Sequence, residues 1–187
     1  MSTQFAARRW TYEEFANLPD DGNRYEVIGG ELYATPAAAP LHQKIVARLT
    51  RLLDEFGEKY GLGESFPAID VLFAEGNYVE PDVVFVRREH MDALTKRGAE
   101  SAPELVVEVL SPTTVSRDRH IKRRLYADFG VPEYWIVDPE NGRIEVYRQT
   151  DDPARRTEIA TKTLVWQPIP GGPELTVDVP ELLRDFR

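Results

Sequence analysis

With 187 residues, 42% of them hydrophobic and 29% charged, the chain has the size and balance of one folded domain, which excludes a disordered or multidomain organisation. The absence of cysteine excludes disulfide frameworks, thiolate metal sites and thiol nucleophiles. A formal net charge of -9 works against avid binding of polyanions, although the field at a site is local and a divalent cation would offset part of it. Taken in chain order, Trp10 to Leu18 reads as a short helix. Thr11 is placed to cap it, Glu14 to close a capping box, and Trp10 to staple onto Phe15. Arg24 to Tyr33 reads as two short strands around the turn Gly29-Gly30, with Glu31 at the start of the second. After the small-residue loop Pro36 to Pro40, apolar residues at Ile45, Val46, Leu49, Leu52, Leu53, Phe56 and Tyr60 recur at a helical period that Gly61 and Gly63 end.

Between Ser65 and Val86 the pattern turns extended. The runs Phe66 to Phe73 and Val79 to Val86, separated by Glu75, Gly76 and Asn77, predict a hairpin whose second strand carries Asp82. Residues 87 to 102 are polar and superficial, with a short helix around Met91 and Leu94. Leu105 to Leu110 is apolar except at Glu108, as expected of a central strand covered on both faces. A second helix is predicted from Val115 to Phe129, burying Ile121, Leu125 and Phe129. Tyr134 to Val137 and Arg143 to Arg148 form a second hairpin, and Leu164 to Trp166 with Leu175 to Val177 add peripheral strands. No window approaches the roughly 20 continuous apolar residues of a membrane span, and the first residues carry no apolar stretch, so a cytoplasmic protein without a membrane partner is expected.

An ionised carboxylate at Glu108, amid Val106, Val107, Val109 and Leu110, costs several kcal/mol unless a cation or strong donors face it. Two readings stand: a structural salt bridge or exposed edge position, and a metal ligand. Asp82 also interrupts an apolar run, or else is a solvated acid at a strand start. Neighbouring strands lie about 4.8 Å apart, so two acids pointing to one side can share a hard cation. Glu31 offers a third carboxylate, or an ordinary acid beside a turn. Lys122 shares a helix flank with Asp118 and Tyr126. It is either an exposed ion pair with Asp118 or an ammonium turned toward the strand ends, where it could hold an attacking water. Arg117, Arg119, Arg123 and Arg124 make a basic stretch suited to a phosphate backbone or to a solvated helix face. His42, at the start of the first long helix, is placed to bond a carboxylate or line a cleft, or to lie on the surface. Neither zinc-site spacing nor a nucleophile elbow is present.

The stretches RYEVIGGEL (Arg24 to Leu32), PDVVFV (Pro81 to Val86), PELVVEVLSPT (Pro103 to Thr113) and Asp118 to Asp138, with GVPEYWIVD, follow one another as in the Uma2 family. The chain therefore resembles that family of predicted endonucleases, formerly a domain of unknown function, within the PD-(D/E)XK restriction-endonuclease-like superfamily. The resemblance covers nearly the whole chain and implies a single domain over residues 1–187. The implied fold is α/β, with a restriction-endonuclease-like core of a central mixed β-sheet flanked by helices. It also implies that Glu31, Asp82 and Glu108 hold Mg2+, or Mn2+ in its place, for hydrolysis of DNA by a homodimer. The sequence departs from the superfamily pattern at Leu110, where the general motif has its lysine. In this family that lysine resembles one moved to the next helix, matched here by Lys122, with His42, Asp118 and Tyr126 in support. The same fold also serves proteins that bind or regulate without cutting, and that alternative stays open.

Overall fold

In the computed structural model, which describes residues 9–149 and 158–185 of the domain expected over 1–187, the first helix forms where its capping residues predict it. In α1 (Tyr12–Ala16) the Glu14 N–H donates to Thr11 Oγ1 at 3.3 Å, and the Thr11 N–H donates to the Glu14 carboxylate at 3.0 Å. This reciprocal pair satisfies two backbone donors of a segment too short to stand on its own. β1 (Arg24–Ile28) and β2 (Glu31–Thr35) follow as an antiparallel hairpin. Its two turn residues, Gly29 and Gly30, have φ of 61° and 86°, a geometry whose twist matches that of the strands and which glycine adopts without strain. α2 (Pro40–Tyr60) buries Ile45, Val46, Leu49, Leu53 and Phe56 and ends at left-handed Gly61.

The long hairpin expected between Ser65 and Val86 is divided between two sheets. The chain forms β3 (Gly63–Pro67), β4 (Val71–Ala74), β5 (Asn77–Val79) and β6 (Val83–Arg87). β4 pairs with β5 around Glu75 and Gly76, whereas β3 pairs with β6 in the other sheet. Pro67 and Pro81 stand where each run breaks; neither can donate to a ladder, so pairing stops there and the chain crosses between layers. A 3-10 turn (Arg88–Ala93) leads to β7 (Leu94–Thr95), β8 (Gly98–Ala99) and then β9 (Leu105–Val109).

After a π-helical turn (Arg117–Lys122) and α3 (Arg123–Asp128) come β10 (Glu133–Asp138) and β11 (Arg143–Arg148). β12 (Glu158–Ala160), β13 (Thr163–Trp166), β14 (Leu175–Asp178) and α4 (Val179–Leu183) complete the described residues. They build a central sheet in the order β12-β11-β10-β9-β6-β3, a second sheet β2-β1-β5-β4-β8-β7, and the pair β13-β14. The central sheet is mixed, since β9 runs parallel to β10 and antiparallel to β6. This is the expected α/β architecture with helices on the sheet, here with a second sheet as an additional layer.

The two faces of the central sheet carry separate cores. Leu105, Val107 and Val109 of β9 join Val83, Phe85, Trp135 and Trp166 on the side of α2 and β13-β14. Val106 joins Val84, Ile136, Leu125 and Tyr126 on the side of α3 and the second sheet. Side chains alternate along a strand, so Glu108 falls on the face of Val106, beneath the helix that follows β9.

Of the flank that apolar spacing predicts for that helix, Leu125 is buried and Phe129 packs against the core, but Ile121 is displaced. Ile121 is 40% exposed, while Asp118, Lys122, Leu125 and Tyr126 are buried. The π-helical turn widens the spiral and changes which residues share a face. The strand beneath presents a carboxylate, which the polar flank can satisfy and Ile121 cannot. No helix among the described residues is long and apolar enough to cross a membrane.

Candidate active site

β6 and β9 pair with Val83 opposite Val107 and Val84 opposite Val106. One step further in the same register brings Asp82, just ahead of β6, opposite Glu108. Asp82 is 2% and Glu108 3% exposed, so both need internal partners. Asp82 Oδ2 accepts the Val109 backbone N–H at 2.8 Å and bonds His42 Nε2 at 3.0 Å, while its Oδ1 accepts from Arg24 Nη1 at 2.7 Å. Burial works to raise the pKa of Asp82, but His42 and Arg24 outweigh it and hold the carboxyl at about 2. His42 thus takes the carboxylate-bonding, cleft-lining place expected of it.

Glu108 is held through one oxygen, its Oε1 accepting from Lys122 Nζ and from the Tyr126 hydroxyl, both at 2.7 Å. Burial pushes its pKa up to about 8; Lys122 opposes this, and the carboxylates of Asp118, Asp82 and Glu26 add to it. Lys122 is itself buried, which disfavours its charge, yet Glu108 and Glu26 more than compensate and its pKa is raised. It therefore stays an ammonium and acts as a donor, not a base. Asp118 lies 4.0 Å from Lys122, and burial raises its pKa as well.

The third carboxylate of the cluster is Glu26, not Glu31. Glu26 is fully buried on β1, with Oε1 2.6 Å from Lys122 Nζ and accepting the Glu80 N–H at 3.1 Å; its Oε2 has no hydrogen bond. Glu31 is exposed and, among the described residues, accepts only the Tyr33 hydroxyl, at 3.1 Å. In the β1–β2 register Glu26 sits opposite Tyr33 and Glu31 opposite Ile28. Both acids share one face, but Glu31 is two residues nearer the turn, roughly 7 Å along the strand, and falls outside the cluster. The signal that singled out Glu108, an acid inside an apolar strand, was equally present at Glu26 between Tyr25 and Val27.

The four arginines expected to form a basic patch are separated. Arg117 bonds Thr35 Oγ1 at 2.6 Å and lies 3.5 Å from Glu26 at the cleft wall. Arg119 pairs with Asp138 at 2.7 Å and Glu145 at 3.0 Å, and Arg123 stands 5.3 Å from the Tyr147 ring. Arg124 is exposed beside Asp128. Asp138 on β10 and Glu145 on β11 draw Arg119 to the sheet and Glu26 on β1 draws Arg117 to the cleft, which divides the patch that the sequence suggests.

Glu26, Asp82, Glu108 and Lys122 line one cleft of roughly 510 Å³, together with Arg24 and His42. Among the described residues no three His, Asp or Glu side chains stand close enough to hold an ion between them. A divalent cation here would draw on two carboxylates. That is the usual provision for magnesium, which keeps several waters and is completed by substrate phosphate. Three donors use three of the roughly four lone-pair positions of Asp82, and the bonds of Glu108 leave its Oε2, so the donor set fits a hard cation. The acid excess points the same way, since Glu108 and Asp118, whose pKa values are raised, would be relieved by added positive charge.

The excess reaches Asp70, whose half-buried carboxyl is pushed up to about 6 by burial and by Glu26. Folded Asp70 holds its proton more tightly than the unfolded chain does, so its contribution to stability is full below about pH 4 and is lost as pH rises through 6. Asp70→Asn is expected to stabilise the protein at pH 7 by about 1–2 kcal/mol, solvent screening having reduced the full effect of the shift. Urea unfolding at pH 7 and pH 4 checks this: the gain should vanish at pH 4, and equal gains would contradict the assignment.

The chain is similar to known proteins in family and in fold. A family model described as "Uma2: Putative restriction endonuclease" matches residues 12–180. The chain is 31% identical over 134 residues to the uncharacterized protein slr1290 of Synechocystis sp., covering 69% of this chain and 68% of that one. It is 28% identical over 130 residues to sll1609 of the same organism, also uncharacterized, covering 68% and 73%. The fold superposes with a TM-score of 0.73 on a crystal structure from Anabaena variabilis titled "a putative nuclease belonging to DUF820". That match is 19% identical and covers 93% of this chain and 97% of the other.

Proposed function

The chain belongs to the Uma2 family, and from that premise we propose that it is a divalent-metal-dependent endonuclease hydrolysing DNA phosphodiester bonds, acting as a homodimer. The observation that carries the reading is the meeting of Asp82, Glu108 and Lys122 in one cleft. Asp82 and Glu108 would hold Mg2+ or Mn2+. Such an ion, when bound, supplies a polarised phosphate oxygen and a more acidic water. Lys122 donates one N–H to Glu108 and stands in ion-pair contact with Glu26. An N–H not engaged by Glu108 would orient a water or meet negative charge growing on the phosphate at the cleft that Lys122 lines. Glu26 and Tyr126 fix that ammonium and the Glu108 carboxylate, so neither has to reorganise during the reaction.

A second reading, nucleic-acid binding without cleavage, draws on the Arg24–Asp82 pair, which already neutralises one of the two carboxylates. One assay separates the readings: incubation of supercoiled, linear and single-stranded DNA with Mg2+ or Mn2+, for wild type and Asp82→Ala. We expect metal-dependent cutting of at least one form, reduced at least about a hundredfold in the variant. Absence of cutting, or equal cutting by Asp82→Ala, would favour the second reading.

A further inference from the structure

Of the cations around the cleft, Arg24 keeps 23% of its side chain exposed, against 12% for Arg117 and 2% for Lys122. Its Nε lies in ion-pair contact with Glu80 Oε1 at 3.0 Å, and its Nη1 donates to Asp82 Oδ1 at 2.7 Å and to the Glu80 carbonyl at 3.3 Å. Its Nη2 has no hydrogen bond among the described residues and is not one of the buried unpaired atoms. Arg24 thus lines the cleft with one amino group uncommitted, beside the carboxylate pair.

We propose that Arg24 is the phosphate-binding residue of this cleft, and the internal cation with which a divalent ion competes for Asp82. The inference rests on reading the cleft as a phosphodiesterase site. A planar guanidinium suits phosphate oxygens, which accept its parallel N–H groups in pairs. Glu80 holds Arg24 through both a side-chain and a backbone oxygen, so the guanidinium can loosen its hold on Asp82 without leaving the cleft. An incoming phosphate brings the negative charge that lets arginine and metal ion remain together, whereas without phosphate the two cations oppose each other across one carboxylate.

The two halves of the proposal predict shifts of opposite sign in one variant. Calorimetric titration with Mn2+ alone should show Arg24→Gln binding the ion about tenfold more tightly than wild type, because a competing charge is gone. Binding of a fluorescein-labelled 12-nucleotide single strand in EDTA should weaken about tenfold. Arg24→Lys, which keeps the charge but loses the fork, should bind Mn2+ as wild type does and the strand with an intermediate loss. It also serves as the test should the glutamine variant fail to fold.

A merely structural Arg24 would lower the melting temperature and weaken both ligands together, and that result overturns the proposal. So does unchanged Mn2+ affinity in Arg24→Gln, or a wild type that does not bind the strand. Tighter Mn2+ binding by the variant alongside a wild type that cuts no DNA would retire the nuclease while sustaining the competition. Cutting by wild type with unchanged Mn2+ affinity would retire Arg24 alone.

Discussion

Lys122→Met should destabilise the protein by about 3–5 kcal/mol, because it leaves two buried carboxylates without their shared counter-ion. The ammonium lies 2.6 Å from Glu26 and 2.7 Å from Glu108, and all three groups are almost wholly inaccessible to water. Urea unfolding measures the loss. The double variant Glu108→Gln/Lys122→Met should recover part of it by removing one of the stranded charges, whereas a loss that is merely additive would mean that the pair is not coupled. Acid should narrow the gap between Lys122→Met and wild type, since protonation neutralises carboxylates that burial already disfavours as anions and that no longer face a lysine. Were Lys122 an exposed helix-surface lysine paired with Asp118, the cost would be only a few tenths of a kcal/mol.

The second large effect separates two glutamates that the sequence presents in the same nine-residue stretch. Glu26→Gln is expected to lower DNA cleavage at least about a hundredfold, because the amide no longer anchors Lys122 as an anion does. Glu31→Gln should leave cleavage unchanged and move stability by no more than about 0.5 kcal/mol, as for other exposed substitutions. Steady-state cleavage rates for the two variants, each confirmed as folded by its melting transition, decide the matter. A loss at position 31 with none at position 26 would return the third carboxylate to the turn.

The pair of glutamates also marks the limit of what the sequence discloses. The isolated acid within the apolar run of β9 was enough to single out Glu108 as a residue that, if buried, needs a compensating partner. They could not tell a salt bridge from a metal ligand, and the structure shows that Glu108 does meet a lysine. Asp82 was legible for a similar reason, but the register that sets it opposite Glu108 is a long-range pairing that local pattern does not encode.

The third acid fell to Glu31 through the family resemblance, whereas the apolar neighbours Tyr25 and Val27 mark Glu26 as the acid that β1 buries. The helix after β9 was found, but its buried flank was assigned by apolar spacing. That held for Leu125 and Phe129, but the π-helical turn at Arg117–Lys122 and the acid beneath it turned Ile121 outward and Lys122 inward. The arginine patch failed for a cause invisible in a one-dimensional reading. Its partners Asp138 and Glu145 lie some twenty residues on, and meet Arg119 only because β10 and β11 pack under the helix.

The account stands on Asp82 and Glu108 offering their remaining lone pairs to one ion within the cleft. Titration of the purified protein with Mn2+, followed by calorimetry at pH 7, reads this without reference to any substrate. Wild type should bind a single ion per chain, and Asp82→Asn and Glu108→Gln should each weaken binding at least about tenfold. A wild type that takes up no Mn2+, or a Glu108→Gln protein that binds it as wild type does, would contradict the shared site.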